Sequence, residues 1–508
     1  MFSKKYIDPF SDTVKKMSQQ FDNATINRDT KQLYDLIYEA TELVNNEDTA
    51  SQSQLYYSIA TVYGDINNIN GTSDGELIKK QLYYFRKSIE LIKAEELTDS
   101  RYLPYVNALK LNLYTNYGNT LDHCGRKIAA IEQYRKALSI RDTFGMALGN
   151  LGIAYRHYGM LVYDPAHRDY FHHFAYNLLN RAMKIEDPNT HNDAKMIFKR
   201  NIDGYDTEYI KHVLSVPLDI PQYSYCKQDE LEYRRWALEN SLFLNPLNDL
   251  PVYEFCFAAD VLHLPSIITK IDYKPVFHGM FNQFKQEYIF ARYQYYRSLQ
   301  EHEVVHFADK DTYLLNFPDY PQYSIRIEML KSAFKTLYSL LDKVAYFMNS
   351  YFKLGIKERD VSFHSIWNCE KRGKNGYKYE NILNPNENFS LASIYWISKD
   401  FYEKFIDSPN PQAQRIRNIR NALEHKYVKV IWGLSPDRTT GDIDDLAFYV
   451  PEVELSTETF RLLKLIREII ICLSLAVGIE EENRKHKLDP SKVVMPITLM
   501  DYDDEWKR

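Results

Sequence analysis

Apolar residues return at helical spacing through most of this chain. Ile327, Leu330, Phe334, Leu337, Leu341, Val344 and Phe347 step by threes and fours, which predicts a long amphipathic helix over 324–354 with Gly355 as its stop. Phe460, Leu463, Ile466, Ile470, Leu473 and Val477 repeat the pattern and predict a closing helix over 457–485. Between them, Ile416, Ile419, Leu423 and Tyr427 form the apolar stripe of a shorter helix introduced by Pro409 and Pro411. From 213 to 321 proline recurs (Pro217, Pro221, Pro246, Pro251, Pro265, Pro275, Pro318, Pro321), which leaves room for short helices at 229–242 and 280–301. The β-branched runs YVKVIWG and LAFYVPEVEL flank the polar stretch SPDRTTGDIDD and predict a small β-hairpin or a loop excursion.

The first two hundred residues are self-similar. Gly118 and Gly152 stand 34 residues apart. Tyr114, Tyr117 and Leu121 surround the first, followed by Ala130, Tyr134 and Ala137; Leu148, Leu151 and Tyr155 surround the second, followed by Ala175, Leu179 and Ala182. A looser copy runs through Tyr56, Ile59, Ala60 and Tyr63 to Gln81, Phe85 and Ser88. Small residues suit the close crossing of two antiparallel helices, and large ones fill the groove between them. Over about 30–205 the segment resembles tetratricopeptide (TPR) repeats, with insertions expected at 67–75 and 160–170. The resemblance implies recognition of a protein or peptide partner.

Composition favours helices: glycine numbers 17 and proline 19, against 42 tyrosines and 26 phenylalanines. The net charge is −6, so no global basic field draws nucleic acid and any RNA contact must be local. The best local basic patch is CEKRGKNGYKYEN at 369–381, where Lys371, Arg372, Lys374 and Lys378 are candidate RNA-backbone contacts or parts of a solvated loop. The aromatic stretch Tyr288, Phe290, Tyr293, Tyr295 and Tyr296, with Arg292 and Arg297, reads either as base stacking or as packing between domains. Five scattered cysteines without Cys-x-x-Cys spacing fit free thiols in a reducing cytoplasm. No metal-ligand spacing, phosphate-binding glycine loop, apolar signal core or bilayer-length apolar run appears in the sequence, so neither a metal nor a cofactor is expected, and no membrane contact.

The densest chemistry lies on the shorter helix, counted from Ile416 to Tyr427. Counting 100° per residue, Arg420, Glu424, Arg417, Asn421, His425 and Asn418 share the arc opposite the apolar stripe, with the Asn421 amide between a cation and an imidazole. Arg420-Asn421, three residues and then His425 resembles the Arg-polar-x-x-x-His signature of the HEPN superfamily, and Tyr427 extends it to the His-x-Tyr variant of some HEPN toxins. The resemblance implies a ribonuclease needing no metal, with Arg420, Asn421 and His425 as its catalytic residues. Glu424, Tyr427 and Asp342 are supporting candidates. Tyr427 is either a modification site or, from its helical angle, a core or dimer contact.

The expected architecture is mainly all-α: a TPR-like solenoid (1–212), a connecting region (213–321), and a HEPN helical bundle with a small β-hairpin insertion and C-terminal tail (322–508). A HEPN site lies between two such domains, and one convincing copy is present, so homodimerisation is implied. The function read from these features is an endoribonuclease forming 2′,3′-cyclic phosphate, an antiviral-defence or toxin-type effector in the cytoplasm with the repeats as sensor. The alternatives are an inactive TPR–HEPN scaffold and nucleotide binding without cleavage.

Overall fold

The computed structural model describes residues 6–215, 227–252, 255–270, 274–300, 305–315, 319, 321–367, 387–402, 409–433, 444–488, 495, 499–500 and 502–507. The fold is all-α apart from a two-stranded sheet. The N-terminal helices are α1 (Asp12–Ile26), α2 (Thr30–Val44), α3 (Thr49–Asn70), α4 (Gly75–Leu91), α5 (Leu103–His123), α6 (Lys127–Ile140), α7 (Gly145–Leu161), α8 (Pro165–Lys184), α9 (Asn192–Asp203) and α10 (Thr207–Ser215). Short polar side chains start many of them: Ser11, Asp29, Asp48, Asp74 and Asp164 each accept a backbone N–H of the first turn. Helices pack in consecutive pairs, α3 on α4, α5 on α6 and α7 on α8. The repeated glycines mark the crossings. A Cβ at Gly118 would lie 2.6 Å from the Tyr134 ring, and one at Gly152 would lie 2.8 Å from Leu179.

Neither expected insertion exists as a separate excursion. Over 67–75, α3 continues to Asn70, Gly71 turns the chain at φ +63°, and Asp74 caps α4. Over 160–170, the extra residues lengthen α7 and α8, which leave a short link capped by Asp164.

After α11 (Gln228–Glu239), Ser241 adopts φ +53° and residues 242–250 plunge into the interior, every one of them buried. The C-terminal helices follow: α12 (Val276–Ser298), α13 (Ile325–Tyr351), α14 (Phe389–Tyr402), α15 (Ala413–His425) and α16 (Glu452–His486). Strands β1 (Val428–Ile431) and β2 (Phe448–Pro451) lie between the last two. Ser324 caps α13, whose left-handed exit falls on Lys353 (φ +55°), because Leu354 closes back onto the Asn349 carbonyl two residues before Gly355. Of the α12 rings, Tyr288 and Tyr295 are buried in packing whereas Phe290 and Tyr293 are exposed, and the Arg292 guanidinium sits among Tyr233, Phe243 and Tyr288 while paired with Asp260 at 2.8 Å.

The hairpin expectation is corrected. β1 and β2 run parallel, with Val428 opposite Phe448 and Ile431 opposite Pro451. The long connection crosses over instead of turning tightly, and Pro451 passes β2 straight into α16. An antiparallel neighbour comes from further back in the chain, where Gln322 N–H donates to the Val430 carbonyl at 2.8 Å.

One continuous hydrophobic core contains residues from Ala50 on α3 to Val477 on α16. Ion pairs cross it. Asp249, at the end of the buried 242–250 segment, accepts from Arg467 at 2.7 Å and from the Tyr158 hydroxyl at 3.0 Å. Arg467 also donates to the carbonyls of Phe243 (2.6 Å) and Asn245 (3.0 Å). Next to it on α16, Glu468 receives Arg126 at 3.0 Å; Arg126 also reaches Asp400 of α14 at 3.2 Å, and Arg86 of α4 binds the same carboxylate at 2.6 and 3.0 Å. Burial pushes the Asp400 carboxyl up, but Arg86 and Arg126 outweigh it and hold the group below the usual carboxylate range.

Two outcomes are expected. Asp249→Ala strands a buried guanidinium and lowers unfolding stability by about 3–5 kcal/mol, as measured by urea denaturation at neutral pH. Asp400 takes up its proton more readily unfolded than folded, so its contribution is complete above about pH 5 and is lost as the pH falls through and below about 3.9. The acid limb of the stability–pH curve is therefore shallower in Asp400→Asn, and an unchanged limb would reject this assignment.

Candidate active site

Helix α15 is fixed at its start and along one side. Just ahead of it Asn410 accepts Gln412 N–H at 3.0 Å, the Gln412 side chain donates to Glu90 of α4 at 3.2 Å, and Arg86 reaches the Pro409 carbonyl at 2.8 Å. Ile416, Ile419 and Ala422 are buried, and Leu423 packs at the core margin. A two-pronged Arg415–Glu454 pair ties the helix to α16, with the guanidinium 5.2 Å from the Phe448 ring centre.

The opposite arc carries the motif. Arg420 is half-buried, with its guanidinium 5.5 Å from the ring centre of Tyr338, a buried residue of α13. Its Nη1 donates to Asn421 Oδ1 at 3.1 Å. That bond leaves the Asn421 Nδ2 group to serve as a donor to a ligand or to an imidazole nitrogen. His425 is the last residue of the helix and is exposed. Among the described residues, neither its side chain nor that of neighbouring Glu424, also exposed, has a hydrogen-bond or ion-pair partner. The site thus combines a braced cation, an oriented amide and an imidazole open to solvent.

Tyr427 is placed differently from its helical angle. The helix ends at His425 and Lys426 is extended (φ −130°, ψ 166°), so Tyr427 starts the approach to β1 and is 47% exposed, not part of the apolar stripe. Its hydroxyl lies 3.5 Å from that of Tyr323. Two positions on, Lys429 is pinned under the same strand face by Asp319 and by Asp444 at 3.3 Å, and Tyr449 donates to Asp319 at 2.5 Å. Burial pushes the Asp319 carboxyl up, but hydrogen bonds from Lys429 and Tyr449 hold it below its ordinary value. Sequence reasoning passed over Tyr323, Tyr338 and Lys429. The alternation of Tyr427 and Lys429 along a strand was a signal for one of them; Tyr323 and Tyr338 come from distant segments and carry none.

Asp342 stands one turn beyond Tyr338 on α13, exposed, and accepts Phe363 N–H at 3.0 Å, so it holds the chain that follows the helix. Among the described residues, no hydrogen bond joins it to Arg420, Asn421 or His425. Lys371, Arg372, Lys374 and Lys378 lie outside the described residues. The buried cysteines Cys124 and Cys472 are free thiols, and burial pushes the Cys472 thiol up to about 12, which suits packing and not nucleophilic attack. No cluster of three or more His, Cys, Asp or Glu able to hold a metal ion occurs among the described residues, and no described helix is long and apolar enough to cross a membrane.

Residues 268–480 match the model of the LA2681-like HEPN family. The matched segment takes in α12 to α15, both strands and all but the last turns of α16, with the whole motif helix, and supports assignment to the HEPN superfamily. The chain is therefore mainly α-helical with a C-terminal HEPN domain. The helices from α1 to α11 lie outside the match. No curated protein and no solved structure matches the chain.

Proposed function

We propose that the HEPN domain is a metal-independent endoribonuclease. The observation that carries this reading is the shared arc of α15, with Arg420 braced on Tyr338 and bonded to Asn421 one turn before an unencumbered His425. HEPN domains are generally ribonucleases that bind RNA and dimerise, and the matched segment contains this arc.

In the proposed reaction Arg420 holds the scissile phosphate, and its fixed charge offsets the negative charge that builds on the phosphate oxygens. Asn421 Nδ2 donates to a phosphate oxygen or orients the imidazole. His425 takes the proton from a ribose 2′-hydroxyl while the 2′-oxygen attacks phosphorus. The bond to the 5′-oxygen breaks, and that oxygen receives a proton from the equivalent groups of a second copy. The products are a 2′,3′-cyclic phosphate and a 5′-hydroxyl. Glu424, beside His425 on the exposed surface, assists the histidine. The N-terminal helix pairs act as TPR-type sensor or partner-binding repeats, and the whole chain works as a cytoplasmic homodimer in antiviral defence or as a toxin-type effector.

A non-catalytic scaffold is the competing reading, favoured by the absence of a hydrogen bond fixing the His425 ring among the described residues. Incubation of the purified chain with RNA in EDTA separates the two. Cleavage with cyclic-phosphate termini is expected, reduced about 10²–10⁴-fold in His425→Ala and strongly reduced in Arg420→Ala. Equal cutting by the wild type and His425→Ala would remove His425 from the reaction, and no cutting by either would leave the scaffold.

A further inference from the structure

The strand that leaves the motif helix turns an aromatic face to solvent. Tyr427 and Tyr323 are 47% and 45% exposed, with their hydroxyls 3.5 Å apart. These rings come from segments 104 residues apart in sequence, yet meet tip to tip beside the end of α15. Alternate residues of a strand share a face, so Tyr427 and Lys429 point the same way. The Lys429 ammonium lies 5.4 Å from the Tyr427 ring centre and is locked there by Asp319, Asp444 and the β2 residue Tyr449. The ring is therefore backed by a fixed cation while much of its surface remains in water. The hydrogen bond with Tyr427 pushes the Tyr323 phenol up to about 12, so it stays neutral near pH 7.

The surroundings select the occupant. His425 stands two residues from Tyr427, a backbone span of at most about 7 Å. Exposed His425 and Lys426 stand at this end of the helix, with the Arg420 guanidinium on the same helix, a setting that favours a polyanion. A strand whose phosphate sits at His425 carries its neighbouring base onto the tyrosines, and every base offers a π-face for stacking. A base held in a duplex is stacked on its neighbours and cannot use such a surface.

We propose that Tyr323 and Tyr427 form a stacking platform for an unpaired base next to the scissile phosphate, which makes single-stranded RNA the substrate class. The inference rests on the ribonuclease reading, and its test is arranged so that binding and cutting are measured apart. The full chain carrying His425→Ala is titrated with a short fluorescein-labelled unstructured RNA, and with the same strand annealed to its complement, by anisotropy in EDTA. Preference for the single strand is expected. Adding Tyr427→Ala or Tyr323→Ala weakens single-strand binding about 5- to 150-fold and leaves duplex binding as it was; Tyr427→Phe, which keeps the ring, recovers most of the loss. In the chain with His425 intact, Tyr427→Ala raises KM for the unstructured RNA more than it lowers kcat. Undiminished single-strand affinity in Tyr427→Ala overturns the platform. So does a loss shared equally by the duplex, or one that accompanies conversion of a dimer to a monomer in sedimentation, because the tyrosines would then be a contact between copies. Tyrosine-dependent binding by a wild-type chain that cuts no RNA upholds the platform and rejects the nuclease instead.

Discussion

Two opposite charges stand side by side in the middle of α16 and both are buried: Arg467 and Glu468. Taking an ion out of water costs several kcal/mol even after relaxation, so such a pair persists where its hydrogen-bonding capacity is filled. It is filled here by parts of the chain far away in sequence. Arg467 is met by Asp249 and by the carbonyls of Phe243 and Asn245; Glu468 is met by Arg126, 342 residues earlier. Sliding α16 by a turn would expose each charge to hydrocarbon without a partner. The apolar stripe alone would tolerate more than one register, whereas the ions select a single one. The N-terminal helices, the buried 242–250 segment and the HEPN domain are thus fixed to one another by geometry that hydrophobic burial does not specify.

The same network extends to the candidate site. Asp400, near the end of α14, is shared by Arg86 and Arg126, and Arg86 continues to the carbonyl of Pro409, just before α15 begins. Gln412 adds a bond to Glu90. The start of the motif helix is therefore attached directly to α4, among the N-terminal helix pairs. The proposed sensor role of those helices requires a physical route to α15, and this contact supplies one without an intermediate element: whatever displaces α4 must also strain or break its bonds to the residues that open the motif helix.

Much of this was legible from spacing, and what was not had a physical cause. The stripes on α13, α15 and α16 follow from residues three and four apart, which are neighbours on any helix, and the glycines at 118 and 152 mark crossings because a Cβ there would strike the facing helix. Tyr427 went astray because the angular count ran past His425, and nothing in Lys426 announces the break; the β-branched run that follows was the available warning. The strands were visible but their direction was not, since parallel pairing depends on how a long connection is routed. Buried pairs such as Arg86 with Asp400 leave no local trace, because an arginine on a helix looks the same whether it faces water or a carboxylate 314 residues away.

The motif residues divide into a rigid part and a free part, and the division follows from where each sits. Arg420 and Asn421 lie mid-helix, where Tyr338 supports the guanidinium from α13 and the amide oxygen is already taken. Orientation there is settled before any ligand arrives, which suits groups that must bind charge without reorganising. His425 sits on the last turn, beyond that support, where an imidazole keeps access to water and to more than one rotamer. A group that must take a proton and later release it gains from that access, whereas one that must hold a phosphate still would lose by it. In the proposed reaction the ligand itself, pressed between the fixed cation and the exposed tyrosines, supplies the constraint that the free protein leaves off the histidine. Catalytic geometry would then be completed by binding, and a strand too stiff to bend onto both surfaces at once would be held without being cut.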